Sequence, residues 1–238
     1  MIKLNNIDDP NITLDKETHT YHLSTHPEID FESVTTVIDR YFEPFDEVLV
    51  ATNLCNSNAK YMGMEPDQLI SGWHDARDHG SKVHEEIELF IEDEIQPSEL
   101  KAKIALEWLD KYCMKSDIDI FTEVIIYSVE LQVAGTIDIL AYDKTAGIYE
   151  IIDWKTSKKI NTVSYGGKMG IHPITSNIMD CNFIHYAMQM SFYRFILEKN
   201  YDLMVRNQMI AHLTDEKCTG YITPYFHEQI NAITAKIN

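Results

Sequence analysis

Val133-Ala-Gly-Thr-Ile-Asp-Ile-Leu-Ala-Tyr142, Asp143-Lys-Thr-Ala-Gly147 and Ile148-Tyr-Glu-Ile-Ile-Asp-Trp-Lys-Thr156 follow one another without interruption. The outer runs are β-branched and aromatic and the middle one is turn chemistry, which predicts a β-hairpin. Pairing Tyr142 with Tyr149 leaves Lys144 to Gly147 as the loop, a common hairpin length, and sets Asp138 opposite Asp153. Strand side chains alternate faces, so Asp153 and Lys155 share one face while Ile152 and Trp154 take the other. Opposed Cβ atoms lie roughly 4.5 to 5.5 Å apart, and two carboxylates that close repel unless a proton or a cation stands between them. A hard divalent cation suits such a position, because it takes carboxylate oxygens and keeps waters for a phosphate. The same pattern also fits two solvated residues on the wet face of an antiparallel sheet.

Working outward, Val83, Ile87, Phe90 and Ile91 form the apolar stripe of a helix over Lys82 to Glu92, and His84 and Glu88 share a face beside it. His84 alone reads equally as an ordinary boundary histidine. Ile118 to Tyr127 is predicted as the strand before the hairpin, with Glu123 either in a site or simply exposed. Phe183 to Lys199 is predicted as a helix buried over much of its surface, with Gln189 and Tyr193 one turn apart on one face.

Gly135-Thr-Ile-Asp138 followed by Asp153-Trp-Lys155 resembles the second and third motifs of the PD-(D/E)xK nuclease superfamily, in its RecB-like exonuclease branch. Gly80-Ser-Lys-Val-His84 resembles that branch's helix-borne metal histidine, and Gln189 with Tyr193 its Gln-x-x-x-Tyr motif. The resemblance covers Gly80 to Glu198, and Ser33-Val-Thr-Thr36 resembles the opening of phage and mitochondrial members. It implies one nuclease domain over 1–238 with a restriction-endonuclease-like α/β core, a central mixed sheet flanked by helices. Residues 1–80 would form an N-terminal hairpin and helical region, and 81–238 the nuclease core. It implies Asp138, Asp153 and Lys155 as catalytic residues and Mg2+ or Mn2+ held by His84, Asp138, Asp153 and the Trp154 carbonyl, with Glu88 and Glu123 as further candidates. Gln189, Tyr193 and the loop lysines Lys158, Lys159 and Lys168 would hold DNA. The implied activity is exonucleolytic, on single strands or ends, in recombination, repair or replication processing. The alternative is a nuclease fold kept as a non-catalytic DNA-end or partner-binding module, docking onto a helicase or single-strand-binding protein.

Composition tests these expectations. A chain of 238 residues with 45% hydrophobic content can bury one substantial core. It has no apolar run of about 18 residues, and Met1 to Asp9 lacks both a signal-peptide core and an arginine-rich transit pattern. The expected setting is the cytoplasm of a prokaryote or a phage-infected host, with no membrane partner. The net charge of −18 runs against nucleic-acid binding, which gains affinity from Lys and Arg. The span from Asp153 to His172 is nevertheless locally basic, while Glu85, Glu86, Glu88, Glu92, Asp93 and Glu94 read as a solvated helix face. An acidic DNA mimic would spread its carboxylates at phosphate spacing, and the lysine-rich loop speaks against it. Cys55, Cys113, Cys181 and Cys218 are far apart and lack the tight C-terminal group of iron-sulfur relatives, so free thiols and no cluster are expected.

Elsewhere, Ile12 to Leu14 and Thr20 to Leu23 predict an irregular hairpin, Ser33 an N-cap for a helix over Val34 to Tyr41, and Asp46 to Tyr61 and Pro66 to Asp78 two helices. Ser98 should cap a helix through Tyr112. Ser157 to Cys181 is a long Gly-, Ser- and Asn-rich loop, either a flap over the substrate backbone or disordered. Met204 to His212 and Gly220 to Tyr225 should be outer strands, and His227 to Ile237 a closing helix.

Overall fold

The predicted hairpin forms in the computed structural model, which describes residues 7–237; residues 1–6, part of the N-terminal stretch read above for targeting signals, lie outside the described residues. Strand β1 (Ile12–Asp15) pairs antiparallel with β2 (Thr20–Leu23), followed by the short β3 (Glu32–Ser33) and helices α1 (Val34–Asp39), α2 (Glu47–Ser57), α3 (Pro66–Asp93) and α4 (Leu100–Cys113). The central strands are β4 (Ile118–Ser128), β5 (Val133–Asp143) and β6 (Ile148–Lys155). Helix α5 (Asn182–Asn200), β7 (Val205–Leu213), β8 (Cys218–Ile222) and α6 (His227–Ile237) complete the chain.

Six strands form one mixed sheet. Strand β5 pairs antiparallel with β4 along its whole length. Its other pairings are divided: β3 runs parallel to it at Val133 and Ala134, and β6 antiparallel from Ile139 to Asp143. Tyr142 faces Tyr149, as the turn chemistry predicts. Gly135 to Asp138 therefore pair with neither β3 nor β6. Beyond β6, β7 is parallel to it and β8 antiparallel to β7.

Helices cover both faces, so the architecture is α/β with a mixed sheet. Leu140, Ile151 and Ile210 pack with Val37 and Ile38 of α1, Met188, Phe192 and Ile196 of α5, and Ile230 and Ile233 of α6. Ile139, Ile152, Trp154 and Ala211 pack with Val83 and Ile87 of α3 and Ala105 and Leu109 of α4. Adjacent residues of one strand thus feed opposite cores, as the period of two requires. A third, smaller cluster fixes the β1–β2 hairpin to the sheet through Tyr21, Leu23, Phe31, Tyr127 and Ala134.

The alternation breaks at one place. On β4, Ile118 and Ile120 pack on the α3/α4 side but Val124 and Ile126 on the α1/α5 side; on β5, Ile137 packs on the α1/α5 side but Ile139 on the other. The register is unbroken across the change, with Thr122 facing Ile139 and Val124 facing Ile137. Glu123, at φ +46°, takes up the change of face on β4. A non-glycine residue rarely adopts that conformation, and one that keeps it is held there by its surroundings.

Two expectations are corrected. Gly80 does not end a helix, because α3 is one continuous helix of 28 residues. A Cβ on Gly80 would fall 2.7 Å from Thr156 Oγ1, so the glycine permits close approach of α3 to the end of β6. Ser98 does not cap α4: its hydroxyl donates to Glu86, and Glu99 occupies the cap position. The predicted cap at Ser33 does form, its Oγ accepting from the Thr36 N–H at 3.1 Å. Among the described residues no helix is long and apolar enough to cross a membrane.

Candidate metal centre

Asp138 sits at the change of face on β5, one residue before the β6 ladder begins. The expected opposition to Asp153 is not a ladder pair, since pairing stops at Ile139 and Ile152. In its place the Asp138 carboxylate accepts the Trp154 N–H at 2.7 Å, tying the two strands together through a side chain. Helix α3, brought close at Gly80, carries His84 one turn further on, with Nδ1 3.6 Å from Asp138 Oδ2.

One ligand atom each from His84, Glu123 and Asp138 all lie within 4.8 Å of one another. Of the expected ligands, His84 and Asp138 are in this group together with Glu123, which the sequence offered as a further candidate, while Asp153 lies outside it. Asp153 Oδ2 is engaged by Lys155, 2.6 Å from Nζ. The contact is a charge-assisted one, the ammonium donating to the buried carboxylate. The Trp154 backbone is bonded to His84 as well as to Asp138, and its indole is buried in the α3/α4 core. Lys155 and Asp153 leave the strand on the face opposite Ile152 and Trp154, as alternation predicts, and Lys155 Nζ lies 4.8 Å from the centre of the Tyr186 ring.

Burial raises the carboxyls Asp138, Glu123 and Asp153 and lowers His84. It raises Asp138, although Lys155 and the Trp154 N–H pull the other way. Glu123 is pushed up to about 8 by burial, then by the charges of Asp138 and Glu88. Asp153 rises to about 6 by burial, with Lys155 opposing and Asp138 adding. His84 drops to about 4 through burial and the Lys155 charge, so its imidazole is neutral at pH 7 with a lone pair available to a cation. Upward shifts at three neighbouring carboxyls describe a site short of positive charge. Two oxygen donors and one imidazole fit a divalent cation of the Mg2+ or Mn2+ kind, with positions left for water or phosphate.

These three candidate ligands line a cleft of about 670 Å³, together with Glu88, Gln189 and Tyr193. Gln189 Nε2 donates to Tyr193 Oη at 2.7 Å, so the two residues of the α5 motif act as a pair. Gly135 makes room for them: a Cβ there would fall 2.4 Å from Tyr193 Cε1.

The loop lysines are not brought to this cleft. Lys158 and Lys159 are exposed outside its lining, and Lys168 is ion-paired to Glu43. The loop from Ser157 to Cys181 is also no open flap. Ile160 and Ile178 are buried, Thr175 Oγ1 donates to the Tyr41 carbonyl at 2.8 Å, and the Ile171 N–H donates to the same carbonyl at 3.1 Å. Its polar composition serves backbone turns such as Thr175 N–H to His172 O, 2.8 Å, which explains why it looked unstructured.

The sequence reading missed the cleft's other wall. Lys16 and Tyr21 of the β1–β2 hairpin line it, and Tyr21 Oη lies 3.1 Å from Thr136 Oγ1 on β5. Tyr21 carries a weak signal, as an aromatic in an alternating run; Lys16 carries none.

No family model matches this chain, and no curated protein matches it. Among solved structures, one described as the crystal structure of SSO0001 is 12% identical with a TM-score of 0.40, over 87% of this chain and 74% of that one.

Proposed function

We propose that this chain is a Mg2+- or Mn2+-dependent deoxyribonuclease that hydrolyses phosphodiester bonds, acting as an exonuclease on DNA ends in the cytoplasm during recombination, repair or replication. The observation that carries the reading is the meeting of His84, Glu123 and Asp138 from three separate elements at one cleft, with the Asp153–Lys155 ion pair beside them. Their order along the chain resembles that of the PD-(D/E)xK nucleases, and an α/β architecture with a mixed sheet is compatible with it.

His84, Glu123 and Asp138 would hold the cation. When bound, it supplies Lewis acidity and lowers the pKa of a coordinated water. Asp138 can serve as a ligand because the Trp154 N–H fixes its carboxylate. Lys155 remains protonated, its pKa raised by Asp153 and Asp138 despite burial. A compact ammonium held by a carboxylate and an aromatic face is suited to orient water and offset charge building on a phosphate. Gln189 and Tyr193, on the same cleft, would donate to the DNA backbone.

The test compares end-labelled linear DNA with circular DNA, with and without Mn2+. Cleavage of the linear substrate should require metal and fall on the order of 100-fold or more in Asp153→Ala and in Lys155→Ala, while circular dichroism shows both still folded. Unchanged cleavage in those variants defeats the assignment. A non-catalytic DNA-end module would give a different calorimetric result: no tight Mn2+ site that depends on Asp138.

A further inference from the structure

The cleft poses an electrostatic problem for a polyanion. Among the described residues, Asp78, Glu85, Glu88, Glu123 and Asp138 line it, against two lysines, Lys16 and Lys82. Lys82 is committed elsewhere, with Nζ 2.6 Å from Glu99 Oε1 and 3.9 Å from Glu86 Oε1. Lys16 is held loosely. Its Nζ is 3.4 Å from Glu88 Oε2 and its side chain is 71% exposed, a pair of the kind worth about 0 to 1 kcal/mol.

The hairpin that carries Lys16 is firmly placed. Asp15 caps its turn by accepting the N–H groups of Glu17 and Thr18 at 2.9 and 3.1 Å. Tyr21 is buried against the sheet and bonded to Thr136, two residues from Asp138 on β5. The Lys16–Glu88 contact therefore joins the hairpin tip to α3 beside the carboxylate cluster, and the charge of Lys16 is felt at Glu123.

Resting on the nuclease reading above, we propose that the β1–β2 hairpin is a substrate-holding wall, and that Lys16 exchanges Glu88 for a DNA phosphate neighbouring the one cut. A weak, exposed ion pair on a rigid support is readily traded for a charge-assisted bond to phosphate. The exchange leaves Glu88 free to face the cation side of the cleft, and it gives an acidic protein one directed cationic contact.

The test measures binding without turnover. In a Lys155→Ala background with Mn2+, single-stranded DNA affinity is measured over a range of salt, with Lys16 unchanged or replaced by Ala or Arg. Lys16→Ala should weaken binding about five- to tenfold at low salt and reduce the salt slope by roughly 0.7, and Lys16→Arg should keep both. Unchanged affinity and slope in Lys16→Ala, with DNA binding otherwise intact, overturn this inference alone. Failure of the unaltered protein to cleave or bind DNA in Mn2+ overturns the nuclease reading and this inference with it.

Discussion

Lys155 is the residue on which the proposed chemistry turns, and two contacts hold it. Asp153 Oδ2 supplies the counter-charge at 2.6 Å and the Tyr186 ring lies under the ammonium at 4.8 Å. A cation over a ring is worth about 0.5 to 2 kcal/mol, more when desolvated. If the ring aims the ammonium, Tyr186→Leu should lower kcat for DNA cleavage roughly threefold to thirtyfold with little change in KM. Tyr186→Phe, which keeps the ring, should retain most activity. Steady-state kinetics decide it, and a Phe variant as impaired as the Leu variant counts against the ring. At this scale Asp138, Asp153, Lys155, His84, Gln189 and Tyr193 were named from their resemblance to nuclease motifs, and the fold brings His84 and Asp138 together and pairs Gln189 with Tyr193. Tyr186 and Lys16 were not named, because a ring under an ammonium and a lysine on a remote hairpin depend on contacts across the chain that no local pattern encodes.

Elements meet at this site through two glycines. Strand β5 and helix α5 touch at Gly135, where ring atoms of Tyr193 would lie 2.4, 3.2 and 3.3 Å from an added Cβ. The ring belongs to a buried residue on a helix packed nearly all round, so it has little room to withdraw. Gly135→Ala should therefore cost about 1 to 3 kcal/mol, the usual range for overpacking. Adding Tyr193→Leu should return part of that loss, giving non-additive stabilities in a denaturant-melt cycle. Strict additivity would show that the clash is relieved some other way. Gly80 misled the sequence reading for a related reason. A glycine in a helical pattern reads as a break, since it costs about 1 kcal/mol relative to Ala, yet here it is the contact point of α3 with Thr156. The β5–β6 hairpin was readable down to the Tyr142–Tyr149 pair, because turn chemistry and alternation are local. Its failure to continue to Asp138 and Asp153 was not, because the face change at Glu123 and Asp138 belongs to two strands together.

For the whole molecule, the net charge of −18 and the buried carboxyls make stability and metal binding functions of pH. A group whose pKa is raised on folding binds more protons folded than unfolded, so its contribution to stability falls as pH rises through the shifted range. Asp153, raised to about 6, and Glu123, raised to about 8, both act in that sense, as does Asp138. His84, lowered to about 4 from 6.5, acts oppositely, because the unfolded chain binds its proton first and stability rises with pH between those values. The two effects oppose each other up to about pH 6.5. Above it Glu123, raised to about 8, still holds a proton that the unfolded chain has lost. Metal-free protein should therefore lose thermal stability between about pH 6.5 and 8, and the rise in Tm on adding Mn2+ should grow across the same window, since the cation takes the place of the retained proton. General self-repulsion in a chain of net charge −18 also opposes folding, so Asp138→Asn is the control that separates the two causes. That variant should flatten both the decline and the Mn2+ effect in thermal melts across the pH series. Should Mn2+ raise Tm equally at pH 6.5 and 8, the proton and the cation do not compete for one place, and the cluster of His84, Glu123 and Asp138 is not where the metal binds.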